Sequence, residues 1–166
     1  MKKLVFIFTT VVALTLSQFA TAQKTIVDVA VGNEDFSTLV AALTAADLVG
    51  ALQGDGPFTV FAPNNDAFAK IDSATLKPKN KEALSNILTY HVVSGKLAAS
   101  DVVAALKKGK GKVELKALNG QTITVLQKDG KIWLKDQNNN YSEIIATDVM
   151  GSNGVIHVID SVVMPK

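Results

Sequence analysis

Thr59-Val-Phe-Ala-Pro-Asn-Asn-Asp-Ala-Phe68 and, about ninety residues later, Asn153-Gly-Val-Ile-His-Val-Ile-Asp-Ser-Val-Val-Met-Pro165 are the two stretches that decide the fold. In the first, an apolar run from Phe58 to Ala62 stops at Pro63, which suits a buried strand leaving for a turn. Asn64, Asn65 and Asp66 then supply natural N-caps for a following helix. In the second, Val155, His157 and Ile159 share one face of a strand while Ile156, Val158 and Val162 share the other. An imidazole so placed is expected to be buried and neutral, donating from one nitrogen to a backbone or side-chain oxygen. A buried polar group left without a partner costs about 1–3 kcal/mol.

Working outward, Ile26, Val27 and Ala30 space as one helical face, and Phe36, Leu39, Val40 and Leu43 repeat at the helical interval. Gly54-Asp-Gly-Pro57 breaks that pattern ahead of the first stretch. Leu84, Ile87, Leu88 and His91 form one stripe, so a helix is expected from about Asn80 to His91, turning its last residue toward the core. A short helix from about Asp101 to Leu106 follows, capped by Ser100. Beyond Lys112 the period becomes alternating: Val113, Leu115 and Ala117, then Ile123 and Val125, Ile132 and Leu134, Ile144 to Thr147, and Val155 to Val163. Asn119-Gly120 and Asp129-Gly130 are hairpin signals between these runs, and Asn138 to Asn140 is a looser turn. Helices first and antiparallel strands later predict an α+β domain.

Between the two stretches stands Leu88-Thr-Tyr-His-Val-Val-Ser-Gly-Lys96. The three segments, in this order, resemble the two signature boxes and the tyrosine-histidine segment of the fasciclin, or FAS1, family. The resemblance implies a wedge-shaped β-sandwich flanked by several α-helices, helices mostly N-terminal and antiparallel strands mostly C-terminal. Its signature positions here are Thr59, Phe61, Pro63, Asp66, Phe68, Asn153, Gly154 and His157. It also implies that the two boxes pack together, and we expect Asp66 or the neighbouring backbone to accept from one histidine. The family is known for secreted or surface-displayed adhesion modules.

Lys2 and Lys3, an apolar run from Leu4 to Leu16 and the small-x-small site Ala20-Thr-Ala22 read as an export signal of bacterial type, cleaved after Ala22. The run is too short to span a bilayer, which takes about 20 apolar residues. Residues 23–166 then form one domain, secreted or periplasmic, with no membrane insertion after cleavage. All seventeen basic residues are lysines; setting aside Lys2 and Lys3 leaves fifteen against fifteen acidic residues, so the exported chain is near neutral. Without arginine it lacks the usual bidentate reader of phosphate and guanine, which argues against nucleic acid. Without cysteine it has no disulfide and no thiolate metal site.

The residues favour a binding module over an enzyme. His91 and His157 are the only side chains with an ordinary pKa near neutrality, and no Gly-x-Ser-x-Gly elbow, zinc helix or phosphate loop is present. The alternatives are a carbohydrate or small-ligand binding protein of the envelope and, behind it, a secreted hydrolase built on a dispersed Ser-His-Asp set. No cofactor and no metal is expected. Asp136 to Asn140 begins like a calcium loop, but Tyr141 stands where glycine is required and Thr147 where a bidentate glutamate belongs, so it reads as a polar turn.

Lys107-Lys108-Gly-Lys110-Gly-Lys112 is either a solvated connection or a contact for an acidic polysaccharide or anionic surface. The resemblance carries over two binding pairs, Tyr90-His91 and Asp148-Val149, both linked to integrin contact in animal members. Thr147 stands where the animal motif has proline, and a packing role is the alternative for each pair. The expected partner is a cell-surface or matrix protein or polysaccharide. A lone domain offers one weak site, so a homodimer or dense array would raise the effective concentration.

Overall fold

The computed structural model describes residues 23–71 and 81–166, so the expected export signal, Met1 to Ala22, lies outside the described residues. Helices come first: α1 (Ile26–Val31), a 3-10 turn (Glu34–Phe36), α2 (Ser37–Ala45) and α3 (Val49–Leu52). Thr25 and Asp28 start α1 with a reciprocal capping box, the Thr25 hydroxyl accepting from the Asp28 amide and the Asp28 carboxylate from the Thr25 amide. The hydrogen bond from the Thr25 hydroxyl holds the Asp28 carboxyl below the usual carboxylate range. β1 (Phe58–Pro63) and α4 (Asn65–Ala69) follow, the latter capped by Asn64, whose side-chain oxygen accepts from the Ala67 amide at 2.9 Å. Then come α5 (Lys81–Tyr90), β2 (Val92–Ser94) and α6 (Ala99–Lys108). Five strands complete the chain: β3 (Lys112–Lys116), β4 (Thr122–Lys128), β5 (Lys131–Lys135), β6 (Tyr141–Gly151) and β7 (Gly154–Ile159).

The strands form one mixed sheet in the order β2-β1-β7-β6-β5-β4-β3. Its long strand, β6, carries two register shifts against β7, at Ile144/Ala146 and Ala146/Val149, and such bulges bend a strand strongly. The sheet curls until its ends meet, where Val93 bridges to Ala117 and the Leu118 amide donates to the Val92 carbonyl at 2.8 Å. The two halves of the wedge are thus parts of one curled, barrel-like sheet.

Both faces of β1 and β7 are buried, and they divide the core. Val60, Ala62 and Ile156 face the helices and pack with Ile26, Leu39, Leu43 and Leu84. Phe61 and Ile159 point the other way, into a second cluster with Tyr90, Leu106, Ile123, Val125 and Leu134. The apolar runs of the two signature boxes therefore read as strands covered on both sides.

The α+β architecture and the order of elements agree with the sequence. The antiparallel meander runs from β3 through β6 to β7 as expected, but the other edge of β7 pairs parallel with β1, which the alternation did not indicate, matching Phe61 to His157 and Phe58 to Gly154. β7 also ends at Ile159 rather than Val163, and β2 is a three-residue strand that periodicity did not mark. Ser100 is not the cap of α6; that position belongs to Ala98, whose amide donates to the Asp101 carboxylate at 3.1 Å.

The parallel pairing leaves no room at Gly154, where an added Cβ would lie 2.2 Å from the Phe58 carbonyl oxygen. Gly154→Ala is expected to force β1 and β7 apart and cost about 1–3 kcal/mol, read as a lowered urea midpoint with an unchanged slope.

Candidate functional site

The three signature segments meet inside the domain. β1 and β7 place Phe61 beside His157, with ring centroids 5.8 Å apart, and the Phe61 amide donates to the His91 carbonyl at 2.9 Å. His91 is 2% exposed and His157 1%. Each ring is fixed in one neutral tautomer by what it meets. His91 Nδ1 lies 2.8 Å from the Ile87 carbonyl and must donate, while Nε2 accepts from the Val163 amide at 3.1 Å. His157 Nε2 donates to the Leu97 carbonyl at 2.7 Å, and Nδ1 accepts from the Asp148 amide at a long 3.4 Å.

His157 is therefore buried and donates to an oxygen, as the strand pattern implied. The acceptors are backbone carbonyls of Leu97 and Ile87. Asp66 accepts from neither histidine and is exposed in the first turn of α4. Burial pushes the His91 pKa down to about 4, against the opposing pull of the Ile87 carbonyl.

The other signature residues also serve the fold. The Thr59 hydroxyl donates to the Gly95 carbonyl at 2.7 Å and accepts from the Leu97 amide at 2.9 Å, holding the loop that receives His157. Pro63 closes β1, and Phe68 on α4 packs against the helical core. Asn153 ties three segments together: its side chain accepts from the Ile26 amide and donates to the carbonyls of Leu52 and Gly54, and its own carbonyl accepts from Phe58.

The carried-over binding pairs divide. Tyr90 is 0% exposed, with its hydroxyl donating to the Thr122 carbonyl at 3.0 Å, and burial pushes its pKa up to about 12. Tyr90 and His91 thus lie inside the domain and present no surface to a partner. Asp148 is exposed on a β6 bulge in the left-handed region, φ 60°, and one carboxylate oxygen accepts from the Ala99 amide at the start of α6 at 2.8 Å. Val149 turns inward against the helical core. The pair does not form one patch.

Asp136 is buried in the polar turn, its two oxygens accepting from the Asn138, Asn140 and Met164 amides and the Asn140 side chain. Those lone pairs close the turn and hold the C-terminal segment. Lys107 and Lys108 end α6, Lys110 sits in the turn at φ 55°, and Lys112 opens β3, paired with Glu114 at 2.9 Å.

The sequence reading missed the outward face of β3 to β6. Alternation turns Val113, Ile123, Val125, Ile132 and Leu134 inward, so Lys112, Glu114, Thr124, Leu126, Trp133, Lys135 and Tyr141 face out. A groove of about 550 Å³ lies across this face, and a hollow of about 260 Å³ adjoins it, sharing Leu126 and Tyr141. The signal was present as Trp133 and Tyr141 at positions where a strand's solvent face ordinarily carries only polar residues.

A fasciclin domain model matches residues 34–165. The chain belongs to the fasciclin domain family. Protein sll1483 of Synechocystis sp. is 50% identical over 155 residues, covering 90% of this chain and 79% of that protein. Transforming growth factor-beta-induced protein ig-h3 of Sus scrofa is 36% identical over 146 residues, 85% of this chain but 19% of that protein. In structure the chain is similar to a FAS1 domain pair from the insect cell adhesion molecule Fasciclin I, with a TM-score of 0.71 and 19% identity, covering 83% of this chain and 50% of that one. That likeness establishes the fold.

Two predictions test the histidine pins of this fasciclin domain. Because the folded pKa of His91 lies below its ordinary 6.5, its contribution is fully present above pH 6.5 and is lost as pH falls toward 4. The loss is on the order of 3 kcal/mol. Urea midpoints measured across that window should fall with pH more gently in His91→Gln than in the wild type. His157→Phe keeps a ring beside Phe61 but strands the Leu97 carbonyl and the Asp148 amide, and should lower stability by about 1–3 kcal/mol. An unchanged melting temperature would show that His157 pins nothing.

Proposed function

We propose that this chain is an exported FAS1 binding module that mediates cell adhesion or attachment to a surface or matrix, and that it is not an enzyme. The observation that carries the reading is that both histidines are used up by the fold. Each nitrogen faces a backbone partner in the core, so neither offers a base to a substrate, and the hydrolase alternative loses its proton acceptor. Membership of the fasciclin family supports attachment, as does the description of the solved neighbour as a cell adhesion molecule.

The same reading places the protein outside the cytoplasm, in the periplasm or the medium, with residues 1–22 removed as a signal and residues 23–166 forming the functional domain. Among the described residues no helix is long and apolar enough to cross a membrane. Asp148 is the carried-over residue on the surface and the first to substitute. Its partner would be a protein or polysaccharide of a cell surface or matrix, and a single weak site would gain from a homodimer or a dense array.

Biosensor titration of the exported chain against matrix proteins, envelope polysaccharides and whole cells, at low and high salt, tests this. Saturable binding to at least one of them is the expected result. No binding to any, at either salt concentration, overturns attachment.

A further inference from the structure

The outward face of β3 to β6 has more chemistry than a solvated sheet face requires. Cross-strand register sets two rows side by side: Glu114, Thr124, Lys135 and Tyr141 in one, and Lys112, Leu126, Trp133 and Glu143 in the other. Tyr141 is 53% exposed, forms the shared wall of the groove and the hollow, and has the Lys135 ammonium 5.8 Å from its ring centroid. Trp133 lines the hollow, and its indole N–H is buried without a partner, a cost that a ligand hydroxyl reached by a small ring movement would remove.

Aromatic faces beside mixed donors and acceptors match a sugar, which offers C–H faces for stacking and hydroxyls that both donate and accept. The groove supplies Thr122 and Thr124 hydroxyls and the Glu114 carboxylate for those hydroxyls. It is too polar for a lipid tail, and its two connected compartments follow a chain better than a single small molecule.

Charge selects the kind of sugar. Lys112, Lys116, Lys128, Lys131 and Lys135 stand on these strands against Glu114 and Glu143, and those two carboxylates are already paired with Lys112 and Lys131. Asp129, in the β4–β5 turn, lies at the rim of the hollow, and the buried Asp136 carboxylate is occupied by its turn. Lys116, Lys128 and Lys135 have no carboxylate partner among the described residues. Along the chain the face continues from Lys112 into the turn at Lys110 and the end of α6 at Lys107 and Lys108.

We propose that this face binds an anionic polysaccharide, with Tyr141 and Trp133 stacking on sugar rings and Lys135, which lines the groove without a carboxylate partner among the described residues, contacting the acidic substituents. The proposal rests on the attachment reading and names the partner class and the surface that serve it. Lysine, a hydrated point charge, suits such contact, which would weaken with salt while stacking persists.

Trp133 is the chain's single tryptophan, so its fluorescence reports on the site directly. The full exported chain is titrated with short oligogalacturonates, with a sulfated galactan and with a neutral galactan of similar length. A saturable change is expected with an anionic sugar, with the neutral one weaker by on the order of tenfold. Which anion binds better identifies the acidic substituent. Tyr141→Ala should lose about tenfold in affinity, and Lys135→Gln should flatten the salt dependence. Both residues lie on the outer face, so circular dichroism and melting should match the wild type.

No saturable change, equal binding of the neutral sugar, or wild-type affinity in Tyr141→Ala overturns the site. Tighter binding of phosphatidylserine vesicles or single-stranded DNA than of either anionic sugar overturns the polysaccharide. If the protein still attaches to cells or matrix proteins while these titrations fail, the sugar site falls and the attachment reading stands; if both fail, both fall.

Discussion

The parallel pairing of β1 with β7 is the contact on which the rest of the structure depends. It joins residues about a hundred positions apart, from Phe58 opposite Gly154 to Pro63 opposite Ile159. Two strands adjacent in a sheet can be this far apart in sequence only if everything between them returns, and here α4, α5, α6 and five strands do so. Because both faces of the pair are buried, it separates the helical core from the core under the curled sheet and gives each a wall. Close approach is needed at one end, where Gly154 lies against Phe58, and Asn153 beside it anchors α1 and the end of α3.

The histidines extend the same logic to side chains. Each stands where a segment without regular pairing must be held: His91 fixes the C-terminal run at Val163, and His157 ties the loop at Leu97 to the β6 bulge at Asp148. A neutral imidazole donates from one nitrogen and accepts at the other, so a single buried ring can join a carbonyl to an amide. Asp136 does comparable work at the polar turn with a carboxylate that only accepts. With both histidines committed to backbone partners in the core, neither ring is presented to the surface.

Most elements were legible in the sequence because their periodicity is strong. The stripe of Leu84, Ile87 and Leu88 became α5, and the alternations at Ile123 and Val125 and at Ile132 and Leu134 became β4 and β5. The misses share a cause. Ser100 looked like a cap because its residue type favours one, yet the chain enters α6 at Ala98 with Asp101 reaching back. β2 has three residues, too few to show a period, and exists because β1 offers it an edge. Asp66 is an acceptor by type but sits on the exposed side of α4, away from either imidazole. The resemblance offered Tyr90 and His91 as a binding pair, but both follow the packing alternative: His91 turns into the core as its stripe indicated, and Tyr90 is buried with it.

Fold class, the order of helices and strands, the burial of His157 and membership of the fasciclin family were all readable before any packing was known. All of these are local properties, written in period, residue type and short motifs. Long-range packing was needed to set the parallel pairing of the last strand with the first, the backbone carbonyls that take the histidine protons, and the outer face shared by Trp133, Lys135 and Tyr141. Pairing partners and shared faces depend on how distant segments pack, and the free energy of that packing belongs to the assembled core rather than to any one segment.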